Sequence, residues 1–136
     1  MADTFSLEVA TPERLVFREA ATEAQLPCKN GYIGVLPGHA PLLSELGIGY
    51  ASYTAGGHKA YFAVHGGFVE VLPDKVRVLA EMVEKAEEID VKRAEADFRR
   101  AQELLAEPHV EIDPALALSA MFRAQARLDT VAQARK

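Results

Sequence analysis

Cysteine is nearly missing from this sequence: Cys28 is the single one in 136 residues. Without a second thiol there is no internal disulfide, which fits a reducing cytoplasm, and a cysteine-based zinc site is excluded. Long apolar runs are missing too; none approaches the roughly 20 residues that span a bilayer. The first residues, MADTFSLEVATPE, lack a basic region followed by an apolar stretch, so no signal peptide is expected. An excess of positive charge is also absent. The formal net charge is −5, whereas a nucleic-acid binder needs a basic face, so no nucleic-acid partner is expected. Glycine is missing from Val83 to the C-terminus.

Catalytic signatures are equally sparse. Ser6, Ser44, Ser52 and Ser119 lie in no nucleophile-elbow context. His65-Gly66-Gly67 resembles a fragment of an oxyanion loop, but no matching serine accompanies it. His39, His58, His65 and His109 are scattered without metal-ligand spacing and read as surface or loop residues, so no metal site is expected. Cys28 and His39 are the one thiol and base that a small hydrolase would use; a lone cysteine on a strand is more often a small core residue. No phosphate-cradling glycine loop occurs. The sequence does not read as an enzyme.

What is present is a soluble globular composition, 49% hydrophobic and 26% charged, with length for one or two small domains. Phe5, Leu7 and Val9 alternate with polar neighbours, as in a half-buried strand. Leu15 to Ala20 and Glu23 to Cys28 read as two further strands. The stretch GYIGVLPGHAPLLSELGIG, Gly31 to Gly49, reads as a strand, a stiff LPGHAP loop with His39 at its tip, and a second short strand from Leu42 to Leu46. Such a loop is either a docking surface or an ordinary connection. Ile48 to Thr54 and Lys59 to Val64 flank a hairpin turn at Ala55-Gly56-Gly57. Gly66-Gly67 suits a bulge or corner, then Phe68 to Leu72 and Val76 to Ala80 follow. Many short strands at this spacing predict an antiparallel sandwich or barrel.

Near Val83 the period becomes helical. Asp90 is a good N-cap, and Val91, Ala94, Phe98, Ala101 and Leu105 make one apolar stripe. Glu107-Pro108 ends this helix. Asp113-Pro114 starts another, with Ala117, Met121, Ala124, Leu128 and Val131 as its stripe. The two helices are expected to be antiparallel neighbours with a thin, alanine-rich seam, the second detaching more easily than a leucine-rich helix would. Residues 114–136 carry Arg123, Arg127, Arg135 and Lys136 against Asp129 alone, a net +3 opposite in sign to the rest of the chain. That tail suits the acidic body or an acidic partner. Arg93, Asp97 and Arg100 on the first helix, with Arg123 and Arg127 on the second, read either as a solvated flank with Asp97 pairing to both arginines, or as converging forks for phosphate oxygens.

The central stretch, followed by GGFVEVLPDKVRVLAE and AEEIDVKRAEADFRRAQELL, resembles the ε subunit of bacterial F-type ATP synthases over essentially the whole chain. The resemblance implies an α+β fold: an N-terminal antiparallel β-sandwich of about ten strands over residues 1–84, then a regulatory two-helix hairpin over 85–136. It implies a non-catalytic part of the central stalk that couples the γ subunit to the c-ring during proton-driven synthesis. The helices would inhibit ATP hydrolysis when extended against the α and β subunits. The c-ring-facing surface falls on Lys29, Asn30, Gly31 and Tyr32 and on the loop tip at His39. The family's regulatory ATP motif falls on Ile89, Asp90, Arg93 and Ala94, with further contacts on Glu84, Arg100, Arg123 and Arg127. No cofactor is implied as required, ATP being a regulatory ligand. The place implied is the cytoplasmic side of the inner membrane, with membrane contact only through the complex. Two other readings stay open: a free-standing ATP sensor, and the hydrolase built on Cys28 and His39.

Overall fold

The computed structural model describes residues 3–107, 111 and 113–136. Pro108, expected at the end of the first helix, and His109 lie outside the described residues. Eight strands come first: β1 (Phe5–Ala10), β2 (Leu15–Ala21), β3 (Glu23–Cys28), β4 (Gly31–Val35), β5 (Leu42–Ala55), β6 (His58–Val71), β7 (Lys75–Ala80) and β8 (Val83–Lys85). A 3-10 turn at Ala86–Glu88 leads to α1 (Val91–Ala106) and α2 (Pro114–Ala134).

The strands hydrogen-bond in the order β2-β1-β7-β6-β5-β3-β4, with β8 added to β6. The sheet folds over on itself, so that Phe17 of β2 stacks on Tyr53 of β5 at 5.2 Å between centroids. Phe17 also meets Phe62 of β6 edge-on at 5.5 Å. Alternation decides which side chains fill the sandwich: Phe5, Leu7 and Val9 from β1, and Val76, Val78 and Ala80 from β7, are all buried.

About ten strands were expected, and among the described residues there are eight. The difference lies in β5 and β6, 14 residues each. Each joins two of the short strands expected from the sequence. Glycines bend these strands at 47 and 66–67 without ending them, so a break in the apolar pattern marks a corner and not a terminus. The sandwich is antiparallel except at one pairing: β1 runs parallel to β7, with Leu7 opposite Val76. Nothing local in the sequence signals that pairing, because it joins the first strand to one about 70 residues later.

Both helices begin as their sequence predicts. The Asp90 carboxylate accepts from the Arg93 backbone N–H at 3.1 Å, and Asp113 accepts from that of Ala115 at 2.9 Å, with Pro114 in the first turn. The hairpin is folded down, with α2 against β5 and β6. The seam is as thin as expected: Ala94 and Ala101 are the buried residues of α1, and Ala117 and Ala124 are among those of α2. Ala126 and Thr130 of α2 are buried as well. This second buried face was not part of the expected stripe, and it is explained by a helix that meets both its partner and the sheet.

Candidate functional site

Two adjoining cavities lie along the hairpin. The larger, about 480 Å³, is lined by Arg100, Arg123 and Arg127, by Asp97 and Asp113, and by Leu104, Leu116, Ala117 and Ala120. The smaller, about 210 Å³, is lined by Glu84, Glu88, Asp90, Arg93, Ala94, Asp97 and Arg127. Asp97 and Arg127 line both. The structure thus brings together seven of the eight residues expected for nucleotide: Glu84, Asp90, Arg93, Ala94, Arg100, Arg123 and Arg127. Ile89 lines neither cavity; its backbone N–H closes the 3-10 turn onto Ala86. Arg100 lies 3.6 Å from Asp97, which is one of the two pairs expected of Asp97 in the flank reading; among the described residues no ion pair joins Arg93 to Asp97. Asp113 and the leucines were not expected in the site, because the sequence shows them only as a helix cap and apolar positions.

The electrostatic centre of the site is Glu84. Its Oε1 accepts from Arg127 Nε at 2.7 Å and from His65 Nε2 at 2.9 Å. The register explains the second contact. Glu84 stands opposite Ala63, and His65, two residues along β6, projects from the same face. The hydrogen bond from His65 holds the Glu84 carboxyl below its ordinary value against the opposing effect of burial, and Arg127 adds to the lowering. His65 is a correction to the sequence reading: it is buried in a strand and is not a surface or loop residue. The signal was present in YFAVHGG, where a histidine directly follows a continuous apolar run.

The residues expected to face the rotor fall in two places. Lys29 and Asn30 form the turn into β4, with Gly31 and Tyr32 its first residues. His39 lies beyond the other end of that strand, whose five residues span roughly 17 Å. β4 therefore sets the two groups apart. Lys29 pairs with Glu45 at 3.0 Å and borders a groove of about 680 Å³ between β5 and α2 that Phe122, Gln125 and Asp129 also line. The Tyr32 hydroxyl donates to the Tyr50 carbonyl at 2.9 Å. Burial, with Tyr50 and Asp129 near, pushes its phenol up to about 12. At the other end Pro37 and Gly38, at φ +85°, form a tight turn closed by His39 N–H on the Leu36 carbonyl at 3.2 Å. The Gly38 N–H ties this loop to the Pro73 carbonyl at 2.7 Å. His39 is half-buried, not fully exposed at the tip. Cys28 is buried in the sandwich core beside Leu46, which favours the core-residue reading over the hydrolase.

Two family models match in the order of this architecture. Residues 4–86 match the beta-sandwich domain of the ATP synthase delta/epsilon chain, and residues 87–132 match its long alpha-helix domain. The chain belongs to the ATP synthase epsilon-chain family. It is 58% identical over 130 residues to the ATP synthase epsilon chain of Solibacter usitatus (strain Ellin6076), covering 96% of this chain and 97% of that one. It is 44% identical over 129 residues to the epsilon chain of Desulfitobacterium hafniense (strain Y51), covering 95% and 97%. Its fold is similar to that of a chain in the Euglena gracilis mitochondrial ATP synthase OSCP/F1/c-ring structure, with a TM-score of 0.82, 19% identity, and coverage of 98% of this chain and 81% of that chain. No described helix of this epsilon-family chain is long and apolar enough to cross a membrane.

Proposed function

We propose that this epsilon-family chain is a non-catalytic subunit of the central stalk of a rotary ATP synthase, joining the γ subunit to the c-ring and restraining ATP hydrolysis through its helices. Its place is then in the F1 sector on the cytoplasmic side of the inner membrane, peripheral to the bilayer. The names of its relatives support the stalk role, as does the similar fold found in an F1/c-ring complex. The outer face of the sheet offers a surface for a stalk partner. In register across β2, β1, β7 and β6 lie Leu15, Ala10, Leu79 and Phe68, and Leu15, Leu79 and Phe68 are exposed. An exposed apolar row of this kind suits a protein interface.

The regulatory ligand of this reading is ATP, held between the helices while the hairpin is down. The observation that carries it is the convergence of Arg93, Arg100, Arg123 and Arg127 on cavities that also hold leucines and alanines. Apolar walls take a flat base, and guanidinium forks take phosphate oxygens. In the extended state the basic α2 meets the acidic surface of the α and β subunits and blocks rotation in the hydrolysis direction.

Calorimetry of the full chain with ATP, with and without Mg²⁺, tests the ligand. The double variant Arg123→Ala, Arg127→Ala should bind at least about tenfold more weakly, since each charge-assisted hydrogen bond lost costs about 1.5–3 kcal/mol. The same variant should weaken inhibition of hydrolysis in the reconstituted complex. Wild-type affinity in the double variant would remove the site.

A further inference from the structure

The contact between α2 and the sheet is built from small residues. Ala126 and Thr130 are buried there, and the Thr130 hydroxyl is turned back on the Ala126 carbonyl at 2.6 Å. Beside them the groove under Phe122 is open. Small side chains of this kind each bury little apolar surface along the 21-residue helix. Among the described residues no ion pair joins α1 or α2 to a strand except Arg127 to Glu84. That pair is well shielded: Arg127 is 21% exposed, Glu84 26%, and His65 beneath them 3%.

His65 gives the pair its geometry. It donates Nε2–H to the same oxygen that takes Arg127, while its Nδ1 is buried with no hydrogen-bond partner among the described residues. A buried imidazole with one nitrogen unsatisfied is costly to keep. It persists here in the position that aims Glu84 at the helix. We propose that His65, Glu84 and Arg127 form a latch that holds α2 on the sandwich without any ligand, with His65 as the positioning residue that keeps Glu84 turned toward the helix. The latch engages Arg127 through Nε, which leaves the two terminal NH₂ groups to face an anion in the cavities it lines. Docking of the hairpin and preparation of the cavity are then one event, because a guanidinium held on one edge is already oriented on the other.

Hydrogen exchange on the full chain in the absence of nucleotide tests the latch. His65→Phe removes the donor and keeps a bulky ring; His65→Gln restores a side-chain N–H; Glu84→Gln and Arg127→Gln each remove one charge. Amides of α2 should exchange at least about tenfold faster in His65→Phe, Glu84→Gln and Arg127→Gln than in the wild type, with His65→Gln recovering much of the protection. Amides of β1 and β7 should be unchanged, which shows the sandwich intact. Wild-type exchange of α2 in Glu84→Gln and Arg127→Gln would overturn the latch. Equal acceleration in His65→Phe and His65→Gln would overturn the positioning role of His65. If His65→Phe disturbs β1 and β7, the two charge variants still decide the first point and His65→Gln against wild type the second. None of these measurements contains ATP, so the latch stands or falls separately from the nucleotide reading.

Discussion

At Gly67 the backbone has φ +115°, and a Cβ there would collide with the Leu79 carbonyl oxygen and stand 2.7 Å from the Ala80 Cα. Both obstacles are backbone, so no rotamer change relieves them. Gly67→Ala should cost about 2–4 kcal/mol, read as a lower urea midpoint with an unchanged slope. The sequence marks Gly66-Gly67 as a corner, and the structure shows what the corner is for. There β6 leaves β7, with Gly67 opposite Ala80, and takes up β8, with Val64 opposite Val83. That switch brings Glu84 to His65. Glu84 also carries the pH dependence of this region. Its carboxyl is held below its ordinary value by His65, and then by Arg127, against burial. A group lowered in the folded state contributes stability that is fully present above its unfolded pKa and is lost as pH falls through the folded one. The contribution of Glu84 to the protection of α2 amides should therefore be constant with pH near neutrality and fall on acidification below the ordinary carboxylate range. Glu84→Gln should abolish that part of the acid response, as seen by hydrogen exchange at a series of pH values.

Among the elements, α1 and α2 are set apart by the small size of the side chains they bury. Their buried positions are mostly alanines, whereas β1 and β7 bury phenylalanine, leucine and valine. Ala124 is fully buried where the helices approach. Ala124→Leu should overpack that seam at a cost of about 1–3 kcal/mol. The loss should appear as faster exchange in α1 and α2 with the sandwich amides unchanged, and a drop in protection spread equally over β6 would contradict it. Both stripes were legible because alanine at helical spacing is visible without a fold, except at Leu105, which is exposed while its neighbour Leu104 lines the cavity. The second buried face of α2, at Ala126 and Thr130, was not legible: it depends on which surface of the sheet the hairpin lies against. The same holds for β5 and β6. Local glycines announce bends, but only pairing with neighbouring strands shows that the chain continues through them.

Across the whole molecule, the exposed row of Leu15, Leu79 and Phe68 and the docked hairpin are separate features of one chain. Phe68→Ser with Leu79→Ser removes apolar side chains that face solvent, so the isolated protein should keep its thermal midpoint to within a few degrees. If this row meets a stalk partner, recovery of the variant with the γ subunit should fall by at least about tenfold in a pull-down. Full recovery would place the partner surface elsewhere. The order of strands before helices, the caps at Asp90 and Asp113, and the arginine positions follow from the sequence alone, because each depends on neighbours within a few residues. The parallel pairing of β1 with β7, the burial of His65, and the meeting of Glu84 with Arg127 were decided by the tertiary structure. Each joins residues far apart along the chain, and a contact of that kind exists only once the sheet has folded over and the hairpin has come to rest on it.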